Sequence, residues 1–172
     1  MDMNEIFHKI VFELTPGEDG YPPVSAESIW GIYAGDGTHI LDNTPYYVYG
    51  VSKGDSVQVK SSGNEMIAVR VAKQGGHSTV RVFAFASDTE ERSKIIAHLH
   101  QLGASCSVSQ EMSLFAVDIP SDCDFFAIDR YLSDIADGEN IAYEDACLQH
   151  SHIKSSRLGE CLSLASLPLL AH

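Results

Sequence analysis

Basic residues are scarce in this chain: 11 Lys and Arg stand against 24 Asp and Glu in 172 residues, a formal net charge of −13. A surface that acidic repels phosphate backbones and anionic lipid heads, so no nucleic-acid or membrane partner is expected. Cysteine is sparse too. The four cysteines (Cys106, Cys123, Cys147 and Cys161) form no C-x-x-C pair, which argues against a disulfide framework or a thiolate metal site and for small buried hydrophobes in a reducing compartment. No run approaches the roughly 20 apolar residues of a membrane span. The opening Met-Asp-Met-Asn-Glu-Ile carries neither a basic n-region nor an apolar h-region, so a cytoplasmic location is expected. No glycine-rich loop leads into a helix, because Gly35-Asp-Gly37 and Gly75-Gly76 both run into strands, which removes a phosphate cradle.

What remains is an ordinary globular composition, 44% hydrophobic and 20% charged, with enough length for one large or two small cores. The first half reads as short strands between glycine turns. Residues 5–14, 27–33, 38–41, 46–51, 56–60 and 66–73 alternate or carry β-branched and aromatic side chains, and Ala34-Gly-Asp-Gly37 and Ser61-Ser-Gly-Asn64 turn between them. Six such strands predict a small antiparallel barrel or curled sheet over residues 1–75, centred on Trp30.

The second half changes period. Thr79–Ala86 is a strand. Ser87 or Asp88 caps a helix with Ile95, Ile96, Leu99 and Leu102 on one face and Gly103 as its stop. Residues 104–109 and 113–119 form a hairpin. Ser121 or Asp122 caps a second helix with Phe125, Ile128, Leu132 and Ile135 on its apolar face, and Ile141–Glu144 is the last strand. The order β-α-β-β-α-β predicts a ferredoxin-like sandwich over residues 76–147, with Phe83 and Phe85 beneath its helices, so that the whole is an α+β protein. Residues 148–172 form an apolar tail in which Leu162, Leu164, Leu167, Leu169 and Leu170 are expected to lie against the body of the protein.

The densest local chemistry lies in Leu41–Val57. Asp42 and Asn43 bond backbone amides ahead of them, Pro45 holds Thr44 out of the helical region, and Tyr46, Tyr47 and Tyr49 favour a strand. Asp42-Asn-Thr-Pro45 with Tyr49-Gly-Val-Ser-Lys-Gly-Asp55 and Gly76-His-Ser-Thr-Val-Arg81, preceded by Ser28-Ile-Trp-Gly31, resembles a bacterial family catalogued as domain of unknown function 4265. The likeness covers roughly residues 5–145. It implies a bacterial, cytoplasmic protein and carries over no catalytic residue. Small acidic bacterial proteins are often immunity partners of secreted toxins, an analogy of class rather than of residues.

Two site hypotheses follow. In the first, Asp137, Glu139, Glu144 and Asp145 form an acidic lip that docks a protein partner with a basic, toxin-like surface without any reaction. In the second, the barrel brings Asp42 and Asn43 towards His77, and a small-molecule or hydrolytic site forms at the domain junction with Tyr46, Tyr47 and Tyr49 as its walls. His77 and Ser78 are neighbours in a strand and point to opposite faces, which counts against their acting as one catalytic pair. A homodimer through a sheet edge or the leucine-rich tail is a third reading. No cofactor or metal is expected: His98 and His100 stand about 200° apart around a helix, and His150 with His152 lacks a firm third ligand. His8 and His39 stand alone in the sequence.

Overall fold

The computed structural model describes residues 6–85, 89–108 and 113–158. Five strands build the first half: β1 (Phe7–Glu13), β2 (Ala26–Tyr33), β3 (Thr38–Leu41), β4 (Ser56–Ser62) and β5 (Glu65–Lys73). They pair antiparallel in chain order, and β1 also pairs in parallel with β5 at Ile10↔Met66 and Val11↔Ile67, which closes the sheet on itself. The turn before β3 is held by Asp36, whose carboxylate accepts the Thr38 backbone N–H at 3.0 Å. Ile10, Phe12, Ile29, Leu41, Val57 and Val71 point inward, as period-two alternation requires. Val48 and Val51, from the loop between β3 and β4, complete this core.

Two expectations fail here. Trp30 is not the centre of the barrel. It lies between the inward Ile29 and the close-packed Gly31, so it points outward, 45% exposed, with the Lys9 ammonium 5.6 Å from its ring. Residues 46–51 form no strand either. The backbone groups of Tyr46, Tyr47 and Val48 are taken by side chains instead of a neighbouring strand, as described below.

The second half holds β6 (Ser78–Ala84), α1 (Thr89–Gln101), β7 (Ser105–Val108), β8 (Leu114–Ile119), α2 (Phe125–Ile135) and β9 (Ile141–Cys147), followed by the short α3 (Ser155–Leu158). The four strands form one sheet in the order β7-β8-β6-β9 with every pairing antiparallel. Ile95 and Leu99 of α1 and Phe125, Ile128 and Leu132 of α2 pack on Val80, Val82, Ala84, Phe115 and Val117. Helix α1 ends at Gly103, whose φ of 100° suits glycine and lets the Ala104 N–H reach the Leu99 carbonyl. Helix α2 starts later than Ser121 or Asp122 would place it. Asp124 is its N-cap and accepts the N–H groups of Phe126 and Ala127. The expected cap of α1 at Ser87 or Asp88 lies outside the described residues, as do Cys161 and the leucines from Leu162 onward.

Phe83 and Phe85 are not beneath the helices. The helix-facing positions of β6 are Val80, Val82 and Ala84, so the intervening Thr79, Arg81 and Phe83 face the other way, towards the barrel. Beyond β9, Leu148 and Ile153 are buried in the sandwich core. Arg157 of α3 ties that segment down by reaching both Asp129 and Asp145 at 2.7 Å. Among the described residues no helix is long and apolar enough to cross a membrane.

Candidate functional site

The two halves meet through the tyrosine-rich loop. Glu27 of β2 accepts the backbone N–H groups of Tyr46, Tyr47 and Val48 at 2.6, 2.9 and 3.0 Å. One carboxylate thus does for three consecutive amides what a partner strand would do. The carbonyls of Tyr47 and Val48 turn the other way and accept the guanidinium of Arg81 from β6. Arg81 is fully buried, 3.7 Å from Glu144 and 4.8 Å above the ring of Tyr49. The Tyr49 hydroxyl donates to the Glu144 carboxylate at 2.9 Å, and burial with that bond pushes the phenol well above its usual range. The Tyr46 hydroxyl donates to the Ser107 carbonyl, and burial raises its pKa to about 12. Tyr46, Tyr47 and Tyr49 therefore do join the two halves, but as internal ties.

A second set of contacts runs alongside. Ser52 and Thr79 share a hydrogen bond of 2.6 Å, and the Gly50 N–H reaches the Ala146 carbonyl at 3.0 Å. Asp55 is fully buried and accepts the Ser52 N–H, the Gly75 N–H and the Gln149 side-chain amide. Burial pushes its carboxyl upward, against the pull of those donors. Gly75 passes so close to Gly54 that a Cβ there would lie 2.4 Å from the Gly54 carbonyl oxygen.

The reactive side chains singled out in the sequence are distributed among separate contacts. Asp42 donates its backbone N–H to the Trp30 carbonyl, and the Asn43 side chain accepts the Trp30 N–H at 3.2 Å, so both continue the β2–β3 pairing past Leu41. His77 turns to the other side and bonds through Nδ1 to Asp118 at 2.8 Å, its side chain 24% exposed against 3% for the aspartate. Ser78 faces His150. The Nε2 of His150 lies 2.8 Å from the Pro120 carbonyl, which only accepts, so Nε2 carries the proton and Nδ1 receives the Ser78 hydroxyl at 2.6 Å. His8 and His39 do not stand alone: their rings meet at 2.8 Å. His98 lies against Tyr131, with ring centroids 4.1 Å apart. Among the described residues no three His, Cys, Asp or Glu side chains are grouped as metal ligands would be.

The acidic lip does not form one face. Asp137 folds back to accept the N–H groups of Glu139, Asn140 and Ile141, and those bonds hold its carboxyl below the usual range. Glu144 faces the barrel and Asp145 faces Arg157, because neighbours in a strand alternate. Glu139 is exposed.

An opening not foreseen in the sequence lies where the barrel stops covering the sandwich sheet. It is a cleft of about 610 Å³ whose floor is Phe83, Phe85, Ser113 and Leu114 and whose wall is Asp19, Gly20, Tyr21, Pro23, Tyr47 and Glu144. Phe83 and Phe85 stack at 5.6 Å with 20° between their planes, and Phe85 is 60% exposed. Tyr21 stands edge-on to both Tyr47 and Phe83. The same-face spacing of Phe83 and Phe85 was the available signal, but which face they take depends on where the helices pack. Tyr21 sits in a polar loop that is read locally as a turn. Of the expected ligand-binding residues, Tyr47 and Glu144 line this cleft.

The fold is similar to that of a hypothetical protein from Neisseria gonorrhoeae, with a TM-score of 0.69 at 14% sequence identity, covering 82% of this chain and 94% of that one. No protein of curated function matches the sequence. The family model described as a domain of unknown function (DUF4265) matches residues 27–143, from Glu27 of the clamp into β9, and the chain belongs to that family.

Proposed function

We propose that this protein is a non-enzymatic, acidic protein-binding module of the bacterial cytoplasm whose partner presents a basic surface, as a toxin does to its immunity protein. Within this reading the halves are a small β-barrel and a ferredoxin-like sandwich, fused so that the first leaves part of the second's sheet open. The observation that carries the reading is that opening: its charged lining residues, Asp19 and Glu144, are both carboxylates, and the remainder is largely aromatic. Aromatic area with a polar rim is the usual anatomy of a recognition surface. An overall charge of −13 steers a basic partner towards it and makes association salt-sensitive. The test is affinity capture from the native cell followed by titration of the captured protein. A one-to-one basic partner whose affinity falls steeply with added salt is expected, and the absence of any stoichiometric partner would overturn the reading.

A second reading, a hydrolytic or small-molecule site around His77 at the junction, has one observation in its favour. The buried Asp118 orients a half-exposed imidazole, as a carboxylate orients a general base. Asp42, its expected companion, is held through its backbone N–H at the Trp30 carbonyl of the barrel. Turnover of an ester or phosphoester library that disappears in His77→Gln would establish this reading, and unchanged background rates would remove it.

A further inference from the structure

We infer that the cleft on the uncovered part of the sandwich sheet is a seat for an arginine side chain of a protein partner. The inference rests on the binding-module reading and adds the chemical group recognised. Three features of the lining specify it. The four aromatic residues, Tyr21, Tyr47, Phe83 and Phe85, present ring faces of negative potential, which attract a cation. Asp19 and Glu144 supply full negative charge, and none of the described lining residues is Lys, Arg or His. The cation closest behind them, Arg81, is fully buried and engaged by the Tyr47 and Val48 carbonyls, by Glu144 and by the ring of Tyr49. It takes no part in the lining and is not itself the occupant.

A planar guanidinium fits this lining better than an ammonium. Phe85, 60% exposed and stacked on Phe83 within 20° of parallel, offers a flat aromatic surface on which a guanidinium stacks, whereas a lysine ammonium is a point charge with a tighter hydration shell. The guanidinium N–H groups find the free lone pairs of Glu144, which accepts the Tyr49 hydroxyl and has room for more. An anionic occupant is disfavoured by the same lining. Among the described lining residues a phosphate would meet two carboxylates and no cation, so the aromatics on this central strand do not make a nucleic-acid platform.

The experiment is an NMR titration of the full chain with an acetylated, amidated pentapeptide, Gly-Ser-Arg-Ser-Gly, and with its citrulline counterpart, which keeps the shape and removes the charge. The arginine peptide is expected to shift the amide signals of Phe83, Phe85, Leu114 and Glu144, and to bind about tenfold more tightly than the citrulline peptide. Phe85→Ala, at an exposed position that leaves the fold intact, is expected to lower that affinity several-fold, and Asp19→Asn, at another exposed lining position, to narrow the gap between the two peptides. Equal binding of both peptides, shifts confined to residues outside the cleft, or methylguanidinium binding as tightly as the peptide would each overturn the inference. If no peptide enters the cleft while a stoichiometric basic partner is still captured, this inference falls and the binding-module reading stands. If the peptide enters the cleft and no partner exists, the reverse holds.

Discussion

Arg81 lies over the ring of Tyr49, its guanidinium carbon 4.8 Å from the ring centroid, although one residue belongs to the sandwich and the other to a loop of the barrel. Both also contact Glu144, so one buried cation, one ring and one carboxylate fasten the two halves. A buried ion left without its partner costs far more than the pair gains. Arg81→Ala would strand Glu144 and the carbonyls of Tyr47 and Val48, and we expect a loss of about 3–5 kcal/mol in urea unfolding. Arg81→Lys would recover only part of it, since an ammonium cannot reach two carbonyls and stack on the ring together.

The Glu27 clamp predicts a separate effect. A hydrogen bond to a charged group contributes about 1.5–3 kcal/mol, and Glu27 holds three amides in succession. Glu27→Ala is expected to cost about 2–4 kcal/mol. It should also speed hydrogen exchange at Tyr46, Tyr47 and Val48 specifically. Slow exchange at those amides in the variant would show that another group holds the loop.

The barrel offers a paired test of packing. Leu41 is 1% exposed in the core, and Leu41→Ala should cost about 2–5 kcal/mol. Trp30 lies on the outside, and Trp30→Ala should change stability by no more than about 1 kcal/mol despite the larger side chain. The two unfolding midpoints decide between the outward Trp30 seen here and the central one that composition alone favours.

His39 gives the barrel a pH dependence of definite sign. It is buried, and that burial first, with the neighbouring His8 second, lowers its pKa below 6.5. The folded state therefore prefers the neutral ring, while the unfolded chain takes up a proton near pH 6.5. Its contribution is complete above that pH and is lost as pH falls through 6.5 towards the lower folded value. Stability measured from pH 7.5 to 5 should decline in the wild type and decline less in His39→Gln. Tyr33 packs on the same ring at 5.3 Å. Equal slopes in the two proteins would assign the effect to other groups.

The helical half was legible in the sequence because several local signals agreed. The apolar faces at Ile95/Leu99 and Phe125/Ile128/Leu132 followed the 3.6-residue period, and Gly103 marked a helix end. What could not be read was any choice decided by a distant partner. The alternation of β6 told that Phe83 and Phe85 share a face, but only the packing of α1 and α2 on Val80 and Val82 decides which face it is. The β-propensity of Tyr46, Tyr47 and Tyr49 pointed to a strand, yet Glu27 and Arg81, about 20 and 35 residues away in sequence, satisfy that backbone in a loop. The cleft combines residues from five separate segments, so no single motif announces it.

The account stands on a basic partner being held at the open end of the sandwich sheet. Hydrogen–deuterium exchange of the captured complex against the free protein measures this directly. We predict slower exchange around Tyr21, from Phe83 to Phe85 and at Leu114, with the outer barrel face around Trp30 and Ile40 unchanged. Protection confined to that barrel face, with the cleft amides exchanging as in the free protein, would contradict it.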